Sequence, residues 1–114
     1  MDMPDWVTRF PGSVTVSDDT GKVLYMNEAA IARYGPLGGA ANIGTNMLGC
    51  HPDGARAKVE EMLGTPSLNV YTIEKGGRRS LIYHTTWYRD GQPMGLVELI
   101  LDLPAAMPHH VRDG

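Results

Sequence analysis

Only one cysteine, Cys50, occurs in the 114 residues, so the chain can form no internal disulfide and no all-cysteine metal site, which fits a reducing compartment. No apolar run approaches the ~20 residues that a membrane-spanning helix requires. The amino terminus, Met1-Asp2-Met3-Pro4-Asp5-Trp6, lacks the basic-then-apolar order of an export signal, so a cytoplasmic chain without membrane contact is expected. Ten lysines and arginines against thirteen aspartates and glutamates give a net charge of −3, with no basic stripe to track a phosphate backbone; nucleic-acid binding is not expected. Glu74, Glu98 and Asp102 are dispersed along strand-like segments, and no nucleophile-base-orienter group is visible, so the expectation is a protein that is not an enzyme.

With 42% apolar and 20% charged residues, the length suits one globular domain over 1–114, with a core of about 10–103 and a proline-containing tail from 104. Val14 and Val16 alternate with Ser13, Thr15 and Ser17, and Asp18-Asp19-Thr20-Gly21 supplies a turn before a returning strand, Val23 to Met26. Asn27 then suits a helix N-cap, Glu28 the positive end of the helix dipole, and Gly35-Pro36 the stop after Tyr34. The glycine-rich stretch 36–49 reads as a loop with one or two helical turns around Thr45 to Leu48. A longer helix is predicted from near Pro52, with Ala55, Val59, Met62 and Leu63 on one face, ending at Gly64.

From Asn69 the apolar period becomes two. Segments 69–75, 78–88 and 94–103, joined at Gly76-Gly77 and Asp90-Gly91, predict a three-stranded meander. If both connections are plain two-residue turns, Tyr71 opposes Ile82 and His84 opposes Val97. One face then gathers Tyr71, Ile73, Ile82, His84, Thr86, Val97, Leu99 and Leu101, and is assigned to the core. The other carries Glu98 and an apolar set, Leu81, Tyr83, Trp87, Leu96 and Ile100, that is expected to form a homodimer contact. Trp6, Val7 and Phe10 precede the first strand and could form a local lid on the monomer.

Four features in this order resemble a PAS domain: the glycine turn between two opening strands, Asn27 straight after the second, the Arg89-Asp90-Gly91-Gln92-Pro93-Met94-Gly95 hairpin, and Asp102-Leu103 closing the last strand. The resemblance covers roughly residues 10 to 103. It implies an α+β fold with a five-stranded antiparallel sheet, order 2-1-5-4-3, and short helices on one face around a pocket. It also implies a sensory module that holds a small molecule or cofactor and signals through protein-protein contacts. For Trp6, Val7 and Phe10 it implies, instead of a local lid, a segment packed over the sheet or across a dimer. Pro104 and Pro108 depart from the pattern, because they forbid the long signalling helix with which many such domains continue.

The pocket residues expected on this reading are Met47, His51, Tyr71, His84, Val97 and Leu99, with Asn27 and Asp102 as structural residues. Haem-binding relatives hold iron through a histidine, which makes His51 or His84 the axial candidate and haem the candidate cofactor. Cys50 invites comparison with flavin photosensors of the light-oxygen-voltage type, but its neighbours Gly49 and His51, and Val97 in place of a last-strand glutamine, fail that pattern; a buried thiol is expected and no flavin. Cys50 with His51 is a poor metal signal without a second ligand pair, and His109-His110 reads as a solvated tail. The rival from another class is a small cone-shaped α+β enzyme of the ketosteroid-isomerase kind, moving a proton with His84 and either Tyr71 or Glu98. A third alternative is a dimerisation module whose own side chains fill its pocket.

Overall fold

A computed structural model describes residues 1–47 and 53–114. The element order is α1 (Asp5–Thr8), β1 (Ser13–Ser17), β2 (Val23–Met26), α2 (Glu28–Arg33), two 3-10 turns (Gly35–Leu37 and Gly39–Asn42), α3 (Asp53–Gly64), β3 (Leu68–Lys75), β4 (Arg78–Arg89) and β5 (Gln92–Asp102). The strands form one antiparallel sheet in the order β2-β1-β5-β4-β3, as the resemblance implied. No helix is long and apolar enough to cross a membrane among the described residues.

Local chemistry explains most boundaries. Asp18 Oδ1 accepts from the backbone N–H groups of Thr20 and Lys22, both at 2.9 Å, and so closes the β1–β2 turn. Asn27 caps α2 by accepting from Ala30 N at 3.0 Å, and the helix ends where Gly35 and Pro36 follow Tyr34. Of the helical turns expected around Thr45 to Leu48, Met47 has 3-10 geometry and Leu48 lies outside the described residues, and the two 3-10 turns above lie earlier. Thr45 and Asn46 instead pair with the entry to β2: Val23 N donates to the Thr45 carbonyl at 2.8 Å, and Lys22 bridges Asn46.

The meander forms as read, but its last strand faces the other way. β3 and β4 pair in the expected register, with Tyr71 opposite Ile82, and the second turn is the expected two-residue loop, since Arg89 pairs with Gln92. Two residues on, Tyr88 pairs with Pro93 and Trp87 with Gly95, so Met94 is an extra residue. This β-bulge slips the register by one and reverses every side chain beyond it. His84 therefore faces Glu98 rather than Val97.

Gly95 is where the bulge meets the neighbouring strand. Its φ of 153° and its approach to β1 leave no room for a side chain, because a Cβ there would overlap the Ser17 carbonyl oxygen. That oxygen also accepts from the Trp87 indole N–H at 2.8 Å. The bulge thus brings β4, β5 and the end of β1 to one point.

The two faces of the sheet are covered differently. On one face Val14 and Val16 are buried with Val7 of α1, and Phe10, Trp87, Val97 and Leu99 pack against them. Val7 and Phe10 provide the expected cover from the amino-terminal segment, on the monomer itself, whereas Trp6 is 70% exposed. On the other face α3 places Val59 and Met62 against Leu96, and α2 places Ala30 against Val23 and Met26.

Candidate functional site

Between the sheet and the segments bearing α2, the 3-10 turns and Met47 lies a half-open cavity of about 290 Å³. On β1, β3, β4 and β5 the lining residues come from alternate positions, so the pleat selects them, while on β2 an irregularity in the pairing with β1 brings Val23 and Met26 to the same side. β1 contributes Thr15 and Ser17, β2 Val23 and Met26, β3 Tyr71 and Ile73, β4 Ile82 and His84, and β5 Leu96, Glu98 and Ile100. Tyr34, Leu37, Asn42, Thr45 and Met47 close the helical side.

Of the residues expected in the pocket, Met47, Tyr71 and His84 line this cavity. His51 lies outside the described residues, as does Cys50 with the thiol and metal readings attached to it. Val97 and Leu99 are corrected: the bulge at Met94 turns them to the opposite face, where they pack beneath Val7 and Phe10. The same slip corrects the expected interface set. Leu96 and Ile100, 1% and 6% exposed, belong to the cavity face, while Leu81, Tyr83 and Trp87 remain on the outer face. Leu101 moves outward with Val97 and Leu99, and Glu98 moves in.

The inward turn of Glu98 gives the cavity a polar pole that the sequence reading missed. The Tyr34 hydroxyl donates to Glu98 Oε1 at 3.3 Å. Burial, together with the charge and hydrogen bond of Glu98, pushes the Tyr34 phenol far above its ordinary value. Tyr71 is also raised, first by burial and then by the charge of Glu98. His84, 4% exposed, stands opposite Glu98 in the β4–β5 ladder. The remaining wall is dominated by aliphatic and methionine side chains, so one carboxylate, two phenols and an imidazole meet at one pole of an apolar space.

Asn27 and Asp102 hold the frame of the site. Asn27, 1% exposed, accepts at Oδ1 from Val14 N and Ala30 N, both at 3.0 Å. Its Nδ2 donates to the Val7 and Gly12 carbonyls at 3.0 and 2.9 Å, with a longer contact to Phe10 O at 3.4 Å. One side chain thereby ties the amino-terminal segment, β1 and α2 together. Asp102 accepts from Arg33 at 2.6 Å and from the Ser80 hydroxyl at 2.7 Å, joining α2 to the end of β5. These bonds hold its carboxyl below the usual carboxylate range, the Ser80 hydroxyl contributing most.

No group of three or more His, Cys, Asp or Glu side chains placed to hold a metal occurs among the described residues. Comparison with protein-family models finds no match, and comparison with curated proteins finds none either. Solved structures do match. The Aer2 receptor of Vibrio cholerae, described as a dual PAS-haem oxygen sensor, aligns with a TM-score of 0.62 at 16% identity, over 82% of this chain and 95% of that one. The PAS domain of Bordetella pertussis BvgS aligns at 0.58 and 19% identity, over 86% and 81%. A sensory box sensor histidine kinase from Vibrio cholerae aligns at 0.61 and 12% identity, over 88% of each. At such identities the agreement is one of fold. The chain has the fold of a PAS domain.

Proposed function

We propose that this chain is a sensory module that holds a compact small molecule in the cavity between its sheet and helices and passes on the bound state through protein-protein contacts. The observation that carries this reading is the cavity itself: a mainly apolar space that gathers Glu98, Tyr34, Tyr71 and His84, walled by all five strands. Similarity in fold to sensory receptors and kinases supports it. At the ~30 Å³ that a water molecule occupies in the liquid, the space holds roughly ten non-hydrogen groups. A porphyrin macrocycle is larger than that, and no lysine or arginine among the described lining residues would pair with its propionates. The described lining residues therefore do not fit haem, and the ligand they support is smaller. The pole is a binding device in this reading, with no catalytic step assigned to it.

Signal transfer through a second copy is supported by the outer face. Leu81 and Tyr83 on β4 and Val70 on β3 lie together there, and Tyr83 and Val70 are 38% and 46% exposed. Analytical ultracentrifugation of the wild type and Tyr83→Glu tests this: a dimer that dissociates in the variant supports it, and a monomeric wild type refutes it.

For the ligand, native mass spectrometry of the purified protein, with an absorption spectrum of the same sample, is the test. A bound mass released by denaturation supports the reading. A Soret band would overturn the compact-ligand assignment. A cavity that takes up no probe molecule would overturn the sensory reading as a whole.

A further inference from the structure

We infer that the cavity selects a compact, largely apolar molecule bearing a hydrogen-bond donor, an amine, amidine or ring N–H, that docks on Glu98, and that it rejects carboxylates and other anions of the same size. This rests on the proposed binding role of the cavity and adds the chemistry of what binds.

The charge inventory of the pole comes first. Glu98 is the one carboxylate among the described lining residues, His84 opposite it is the one imidazole, and no described lining residue is a lysine or arginine. An ionised carboxylate accepts about four hydrogen bonds. Tyr34 supplies one, long at 3.3 Å, to Oε1. Capacity to accept is therefore left at a polar pole set in a largely apolar wall, where the field is less screened than in open water.

Geometry places that capacity where a ligand would meet it. Glu98 sits mid-strand, directly between Thr15 of β1 and His84 of β4 in the sheet, so its side chain rises from the floor of the cavity rather than from its rim. Ile82, Leu96 and Ile100 flank it and set the apolar body that the donor must carry. Burial raises both Tyr34 and Tyr71, and the charge of Glu98 adds to it in each case, so the carboxylate that would receive a donor is also the group that opposes a further negative charge. An anionic ligand would bring its charge to that same place. A donor removes the mismatch with a charge-assisted bond.

Three probes of one size and one aromatic body separate the alternatives: phenethylamine, 2-phenylethanol and phenylacetate, each titrated at neutral pH into the isotopically labelled chain while amide shifts of the cavity strands are followed. The amine is expected to bind about tenfold more tightly than the carboxylate, the difference a single charge-assisted hydrogen bond supplies, with the alcohol between them. Glu98→Gln should abolish the advantage of the amine and leave the alcohol nearly unchanged; because the ranking on the wild type already tests the inference, it survives a variant that folds poorly. Phenylacetate binding as well as phenethylamine would overturn the ligand class while leaving the cavity reading intact. An amine preference that persists in a folded Glu98→Gln variant would overturn the role of Glu98. Absence of binding by all three would overturn the cavity reading, and this inference with it.

Discussion

Asn27 offers a test in which two accounts of one residue give opposite signs. As a helix N-cap alone, its replacement by alanine costs about 1 kcal/mol, and aspartate would serve as well as asparagine or better at the positive end of α2. The structure gives it a larger task. Asn27→Ala removes the cap on Ala30 N and also strips the partner from Val14 N–H and Gly12 C=O, while Val7 C=O loses one of two and still accepts from Phe10 N. Each buried group left unpaired costs on the order of 1–3 kcal/mol. Allowing for water entering the space vacated, the loss should be about 3–5 kcal/mol, a large part of the ~5–15 kcal/mol that stabilises a domain.

Asn27→Asp is the sharper variant. It keeps both bonds accepted at Oδ1 but turns the donating amide into an oxygen that faces the Val7, Phe10 and Gly12 carbonyls, with a buried charge added. It should be at least as damaging as alanine. Urea unfolding followed by far-ultraviolet circular dichroism measures both, provided the slope against denaturant is unchanged. An aspartate variant as stable as the wild type would show that Asn27 acts only as a cap, and would refute the tie between the amino-terminal segment and the sheet.

Other expectations follow from the same geometry. Gly95→Ala should destabilise by about 2 kcal/mol or more, since the new methyl meets the Ser17 carbonyl at a backbone angle that side chains rarely adopt; a neutral result in thermal unfolding would contradict the bulge. Trp87→Phe should cost about 1 kcal/mol through loss of the indole bond to Ser17 O, read as a shift in the urea midpoint. Because the Tyr34 phenol is raised above its ordinary value of 10.0, the unfolded chain loses that proton first as the medium becomes alkaline. Its contribution is complete below the ordinary value and falls as pH rises beyond it. Tyr34→Phe should flatten the alkaline limb of a stability-pH curve, and an unchanged limb would refute the assignment.

The sequence alone determined the five strands, α2 and the run of α3, because those choices are local. Alternation in Val14 and Val16, a capping residue at Asn27, and two-residue turns at Gly76-Gly77 and Asp90-Gly91 each act within a few residues, and each formed where it was read. The strand order, too, was legible through the succession of those signals. Which face of β5 looks into the cavity was settled only by tertiary structure. Met94 is inserted because Gly95 must pass close to Ser17, a residue 78 positions earlier, and no local pattern in β5 records that approach. A one-residue slip in a structure of period two then exchanged Val97 and Leu99 for Leu96, Glu98 and Ile100, and moved the acid to the floor of the pocket. Composition and periodicity thus carried the fold, while the chemistry of the candidate site depended on a single long-range contact between two strands.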